Sequence, residues 1–105
     1  MERGWKMSKL GDDQRAFAQA FPLLLLHAFR LGYKITFPPE HMNHIENSFH
    51  YKGLAKDINL FKDGKYIKKT EGHLPLGLIW EWMGGTWGGR FRKKDGNHYS
   101  WGETR

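Results

Sequence analysis

Phe17, Phe21, Leu24, Leu25, Ala28 and Leu31 recur at helical spacing, which predicts one long amphipathic helix as the first element. Asp12 and Asp13 precede the pattern and suit its N-terminus, as caps and as negative charge against the helix dipole. Pro22 cannot donate a backbone hydrogen bond, so a kink or restart is expected there, and Gly32 is placed to stop the helix. Residues 33–37 alternate and are rich in strand formers, so they read as a short strand that Pro38 and Pro39 end. Residues 40–49 are polar and irregular. Residues 54–61 read as one further strand, which Asp63-Gly64 turns back into a hairpin partner at residues 65–67. Residues 75–83 suit a short helix with Pro75 near its first position and a stop at Gly84-Gly85, although Gly77 weakens it. A last strand is expected at residues 98–101.

Helix first and a small antiparallel sheet later imply an α+β fold. Residues 1–11 read as a flexible N-terminal arm and residues 12–105 as one domain, the size that 105 residues allow. Cysteine is absent, so disulfides and thiolate metal sites are excluded and any metal must be held by His, Asp or Glu. The apolar run at residues 21–26 is far shorter than the roughly 20 residues needed to span a bilayer. The charged start has no apolar segment or small-residue cleavage site after it, so cytoplasmic synthesis without a signal peptide is expected. Seventeen Lys and Arg against eleven Asp and Glu give a net charge of +6, which favours polyanionic partners without choosing among them.

The chemistry concentrates in two segments. In Ser48-Phe49-His50-Tyr51-Lys52-Gly53-Leu54-Ala55-Lys56-Asp57, an imidazole and a carboxylate stand seven residues apart. An unbroken strand would point them to opposite faces, and Gly53 permits the bend that brings them together. Asp57 lies among Leu54, Ala55, Ile58, Leu60 and Phe61, where a metal or cationic partner would offset the cost of burying its charge. A polar face of Ala55, Asp57 and Asn59 turned to solvent is the alternative. In Asp95-Gly96-Asn97-His98, a turn delivers a second histidine onto a strand. The other four histidines leave rivals open: His41 and His44 are spaced for a helix-borne pair but sit in loop context, His27 falls in the first helix, and His73 has no evident partner.

Ser48-x-His50-x-x-Gly53-x-Ala55-x-Asp57, followed far downstream by Asp95-x-x-His98, resembles the zinc D-Ala-D-Ala carboxypeptidase and L-alanyl-D-glutamate endopeptidase family (peptidase M15-like). That family includes bacteriophage endolysins and the vancomycin-resistance dipeptidases. Two intervening stretches resemble its phage endolysin subgroup: residues 57–66, from Asp57-Ile58-Asn59-Leu60-Phe61 to Lys65-Tyr66, and residues 76–91, with Trp80-Glu81, Gly84-Gly85-Thr86-Trp87-Gly88-Gly89 and Phe91.

The resemblance implies a hedgehog/DD-peptidase-like single domain, one Zn2+ per chain held by His50, Asp57 and His98, and Asp95 as catalytic acid/base. It implies metal-assisted hydrolysis of an amide bond in bacterial peptidoglycan peptides, with Ser48, Tyr99 and Trp87 as candidate substrate contacts. A monomer acting on the cell wall is expected, with no nucleic acid partner and no membrane insertion. Two positions depart from the family's pattern. Residues 37–44 contain no arginine where relatives carry one that contacts substrate, and Ser100 stands where a glutamate often follows the final His-aromatic pair. A nucleic-acid-binding or metal-dependent nuclease module is the alternative that the net charge and the basic, aromatic stretch 90–94 suggest, and a catalytically inactive wall-binding relative is a third.

Overall fold

The computed structural model describes residues 9–39, 48–50 and 52–104. Its first element is helix α1 (Lys9–Arg30), which buries Phe17, Ala20, Phe21, Leu24 and Ala28 along one face. Lys9 to Gly11, assigned above to the arm, are already helical, so Asp12 and Asp13 lie inside the first turns and do not cap them. The remainder of the arm lies outside the described residues. Pro22 neither breaks nor restarts α1. It sits on the exposed face, as does Ala18, whose carbonyl loses its helical partner on the solvent side. The helix ends as Gly32 leads one to expect. Gly32 adopts φ +92°, its N–H reaches the Phe29 carbonyl at 3.1 Å, and the Tyr33 N–H reaches the Ala28 carbonyl at 3.0 Å. This Schellman pairing satisfies the last carbonyls and packs Tyr33 onto Ala28 within the core.

Six short strands follow, in two sheets. One holds β1 (Lys34–Thr36), β3 (Asn59–Lys62) and β4 (Lys65–Ile67) in the order β1-β3-β4. The other holds β2 (Ala55–Asp57), β5 (Thr86–Trp87) and β6 (His98–Ser100) in the order β2-β6-β5, and every pairing is antiparallel. The single strand expected over residues 54–61 is therefore two, one in each sheet. Ile58 is the pivot. It is fully buried, and its N–H bonds the Asn97 carbonyl at 2.9 Å, so the chain leaves one sheet without orphaning a backbone group. Asp63 and Gly64 both take positive φ, the requirement of the tight hairpin turn between β3 and β4.

Helix α2 (Leu74–Trp82) follows a 3-10 turn at Thr70–His73 and carries Pro75 in its first turn. It closes with the same motif as α1: Gly84 N–H to the Glu81 carbonyl at 3.0 Å and Gly85 N–H to the Trp80 carbonyl at 2.9 Å. Gly77, unfavourable for a helix, is there for packing. A Cβ on it would lie 2.3 Å from the Trp87 ring. Trp80 is the hub of the core, edge-on to Phe17, Phe21, Tyr99 and Trp101, with its indole N–H donating to the Ser100 carbonyl at 2.9 Å. Among the described residues, no helix is long and apolar enough to cross a membrane.

Candidate metal centre

The loop before β2 is wound by its own backbone. Lys52 N–H donates to the Ser48 carbonyl at 3.2 Å, Gly53 N–H to His50 at 3.2 Å and Leu54 N–H to Phe49 at 2.8 Å. Gly53 adopts φ +72°, which supplies the bend expected from the seven-residue spacing and swings His50 back over the strand that carries Asp57. On β6, His98 is the direct cross-strand partner of Asp57, so both side chains leave the same face of the sheet.

The result is a compact cluster of His50, Asp57 and His98, whose ligand atoms all lie within 4.8 Å of one another. Asp57 Oδ1 stands 3.4 Å from His50 Nε2 and 3.4 Å from His98 Nδ1. These separations are long for hydrogen bonds, and Oδ1 is buried without a hydrogen-bond partner. They match the edge of a tetrahedron of donors set about 2.0–2.2 Å from one ion, which is roughly 3.3–3.6 Å. Two edges of the donor set therefore suit one ion, and all three ligand atoms lie within 4.8 Å of one another. Burial raises the Asp57 pKa, but the two histidines outweigh it and hold the carboxyl well below the usual carboxylate range, so it remains a charged donor.

One buried acid supports this set from behind. His98 Nε2 lies 2.6 Å from Glu103 Oε1, with Glu103 6% and His98 2% exposed. An ionised Glu103 accepts from Nε2–H, which makes Nδ1, on the Asp57 side, the nitrogen that would bind a metal. Burial alone would lower the His98 pKa, but Asp57 and Glu103 together hold it above its ordinary value. Gly102 (φ +79°) turns the chain after β6, and the Thr86 hydroxyl donates to the Glu103 carbonyl at 2.9 Å, which fixes the tail beneath the histidine. Sequence reasoning missed Glu103. The available signal was a left-handed glycine followed by an acid, five residues beyond a candidate ligand.

Asp95 stands in the loop that opens β6, outside the three-residue cluster. Its N–H donates to the Gly88 carbonyl at 2.9 Å and its carbonyl accepts from His98 N–H at 3.1 Å, so its backbone is pinned beside the ligand strand while its side chain is exposed. Gly88 permits that approach, because a Cβ there would lie 2.2 Å from the Asp95 carbonyl oxygen. Ser48 is half-buried at the start of the loop that holds His50. Tyr99 and Trp87, expected above as substrate contacts, are core residues. Tyr99 is fully buried, Trp87 is 3% exposed, and its indole donates to the Gly96 carbonyl at 2.7 Å. Alternation along β6 puts Tyr99 on the face opposite His98, away from any ligand on the metal side. His73 does have a partner: it is buried, with Nδ1 2.9 Å from the Tyr99 hydroxyl. His41 and His44 lie outside the described residues.

Three protein donors with the carboxylate still 27% exposed on its side chain define the kind of site in which a metal keeps a position for a reacting molecule. The sequence profile of the D-alanyl-D-alanine carboxypeptidase family (peptidase M15) matches residues 42–101, which span all three donors and Asp95. The chain belongs to that family. Its fold is similar to the crystal structure of the L-Ala D-Glu endopeptidase ChiX of Serratia marcescens, with a TM-score of 0.62 at 14% identity over 91% of this chain and 88% of that one. No curated protein sequence matches the chain.

Proposed function

We propose that this protein is a zinc-dependent peptidase that hydrolyses an amide bond in the peptides of bacterial peptidoglycan, as an L-alanyl-D-glutamate endopeptidase or a D-Ala-D-Ala carboxypeptidase, in the lytic equipment of a phage or prophage. The observation that carries the reading is the donor cluster of His50, Asp57 and His98, with Asp57 Oδ1 3.4 Å from each imidazole, inside the segment that the family profile matches. A zinc ion held there supplies Lewis acidity, polarising a carbonyl oxygen and bringing the pKa of water toward about 7.

The remaining work falls to the chain. Asp57, kept ionised by the two imidazoles, contributes the negative charge of the donor set. Glu103 holds the His98 ring in the tautomer that leaves Nδ1 free to bind. Asp95, exposed and anchored through its backbone three residues before His98, takes the proton of the attacking water and passes it to the leaving amine. A basic surface, with a net charge of +6, suits an anionic wall.

The test is mass spectrometry of peptidoglycan fragments after digestion with zinc-loaded protein, alongside a zinc titration. One zinc per chain and one class of new amino terminus are expected. Asp95→Ala should keep zinc and lose at least about a hundredfold in turnover, whereas His50→Ala should lose both. Full activity in Asp95→Ala would refute the assigned proton carrier. Intact fragments with fully loaded wild-type protein, across several wall types, would refute the substrate.

A further inference from the structure

Next to Asp95 lies a cavity of about 240 Å³ whose lining is almost wholly polar and includes Lys68, Thr70, His73, Lys94 and Asp95. Its two walls are different parts of the chain: the segment from the end of β4 through the 3-10 turn, and the loop that opens β6. They are held in close contact. A Cβ on Gly96 would lie 2.6 Å from the Thr70 Cα, and the Gly96 carbonyl is fixed by the Trp87 indole at 2.7 Å. The cavity is thus a built feature between braced segments.

Its chemistry favours an anion. Lys68 and Lys94 approach it from opposite walls, and neither makes an ion pair with an acid among the described residues. Among the described residues of the lining Asp95 is the one carboxylate, so two cations face one acid. At the buried side, His73 has Nδ1 committed to the Tyr99 hydroxyl. Burial lowers the His73 pKa to about 4, so its imidazole is neutral near pH 7. A phenol donating to Nδ1 leaves His73 protonated at Nε2, which adds a neutral donor to the Thr70 hydroxyl.

The position of Asp95 gives the cavity its orientation on a substrate. A group that hands a proton to the leaving amine marks the side of the scissile bond on which the departing residue sits. In D-Ala-D-Ala that residue carries an α-carboxylate. In L-Ala-D-Glu it is a glutamate, which has a carboxylate to spare beyond the scissile amide. We propose that this cavity is a carboxylate subsite for the departing residue, with Lys68 and Lys94 as charge partners and Thr70 and His73 as hydrogen-bond donors. The proposal rests on the peptidase reading above and adds to it which end of the substrate is gripped and by what.

The experiment compares paired peptides that differ only in that carboxylate: L-alanyl-D-glutamate and D-alanyl-D-alanine peptides, each against the form amidated at the departing residue. Wild-type zinc protein should cleave an acid form over its amide by about tenfold or more in kcat/KM, chiefly through KM, the size expected of charged hydrogen bonds. In Lys68→Ala/Lys94→Ala that preference should fall toward unity, and in Lys68→Arg/Lys94→Arg it should largely return. Equal cleavage of acid and amide by wild type, or an undiminished preference in the double alanine variant, would overturn the subsite. A second readout uses binding alone. D-Glutamate and D-alanine, added to wild-type protein, should shift the amide resonances of Thr70 and Gly96, and their amides should not. If wild type cuts none of the peptides, the peptidase reading fails, and this binding arm still decides whether the cavity takes a carboxylate.

Discussion

Replacing Glu103 with alanine tests the arrangement behind the proposed metal ligands. The His98 Nε2 to Glu103 Oε1 contact is 2.6 Å long, and both residues are buried. Alanine would leave an imidazole N–H buried with no acceptor, which costs about 1–3 kcal/mol. Part of that cost appears in the apo fold. The rest appears as metal affinity, because a ring no longer held can turn or change tautomer and withdraw Nδ1 from Asp57. Loss of such a supporting carboxylate typically weakens metal binding about 10–100-fold, or roughly 1.4–2.7 kcal/mol, which agrees with the hydrogen-bond figure. Glu103→Gln keeps an oxygen acceptor without the charge and should fall within about tenfold of wild type. The assay is zinc competition against a chromophoric chelator, with thermal unfolding of the chelated proteins in parallel and nitrogen NMR of the His98 ring to read its tautomer. A purely structural Glu103 would lower the melting temperature and leave zinc affinity and tautomer alone. Zinc affinity in Glu103→Ala within twofold of wild type, in a folded protein, would refute the reasoning.

Two further outcomes follow from buried groups away from the metal. His73 has a folded pKa of about 4, lowered by burial from 6.5, so as pH falls the unfolded chain takes up the proton first. The stability it lends is complete above about pH 6.5 and is lost as pH falls toward 4, a change of roughly 3 kcal/mol. Urea unfolding of metal-free protein at pH 7, 5.5 and 4 should show a loss smaller by about that amount in His73→Gln, and equal losses would contradict the burial argument. Gly77→Ala should destabilise the protein by about 1–3 kcal/mol despite alanine's better helix propensity, because its Cβ would press into the Trp87 ring at 2.3 Å. A higher melting temperature for this variant would show that the contact relaxes without cost.

Much of the chain could be read from pattern because the relevant forces are local. Both helix ends were legible, since Gly32 and Gly84 take the left-handed conformation that ends a helix with its carbonyls satisfied. The hairpin at Asp63-Gly64 was legible for a similar reason. The division of residues 54–61 was not. Alternation identifies extended chain but does not say which sheet it joins, and no glycine or proline marks the crossing at Ile58. The metal set stood among several histidine combinations until the motif resemblance selected it. Glu103 escaped because its role comes from the fold of a tail back onto β6, a tertiary fact with no period in the sequence. That Tyr99 and Trp87 lie in the core was not legible either, because aromatics beside a ligand suit a cleft wall and a core equally well. Only the face on which they emerge separates the two.

That face explains how so small a domain holds three donors in place. Strand β6 has three residues, and its alternation divides them: His98 and Ser100 on one side, Tyr99 on the other. Tyr99 is sealed in the core against Trp80 and hydrogen-bonded to His73, while the Trp80 indole binds the Ser100 carbonyl. These contacts fix the register in which His98 lies opposite Asp57 and Ala55 opposite Ser100. A slip of one residue would pair Tyr99 with Asp57 on a single face, so that either the carboxylate enters the core or the aromatic leaves it for the metal face. The core therefore opposes any one-residue slip from the register that brings His98 opposite Asp57. The donor triangle inherits its precision from packing on the opposite side of the same strand, and the loop bend at Gly53 has only to add His50.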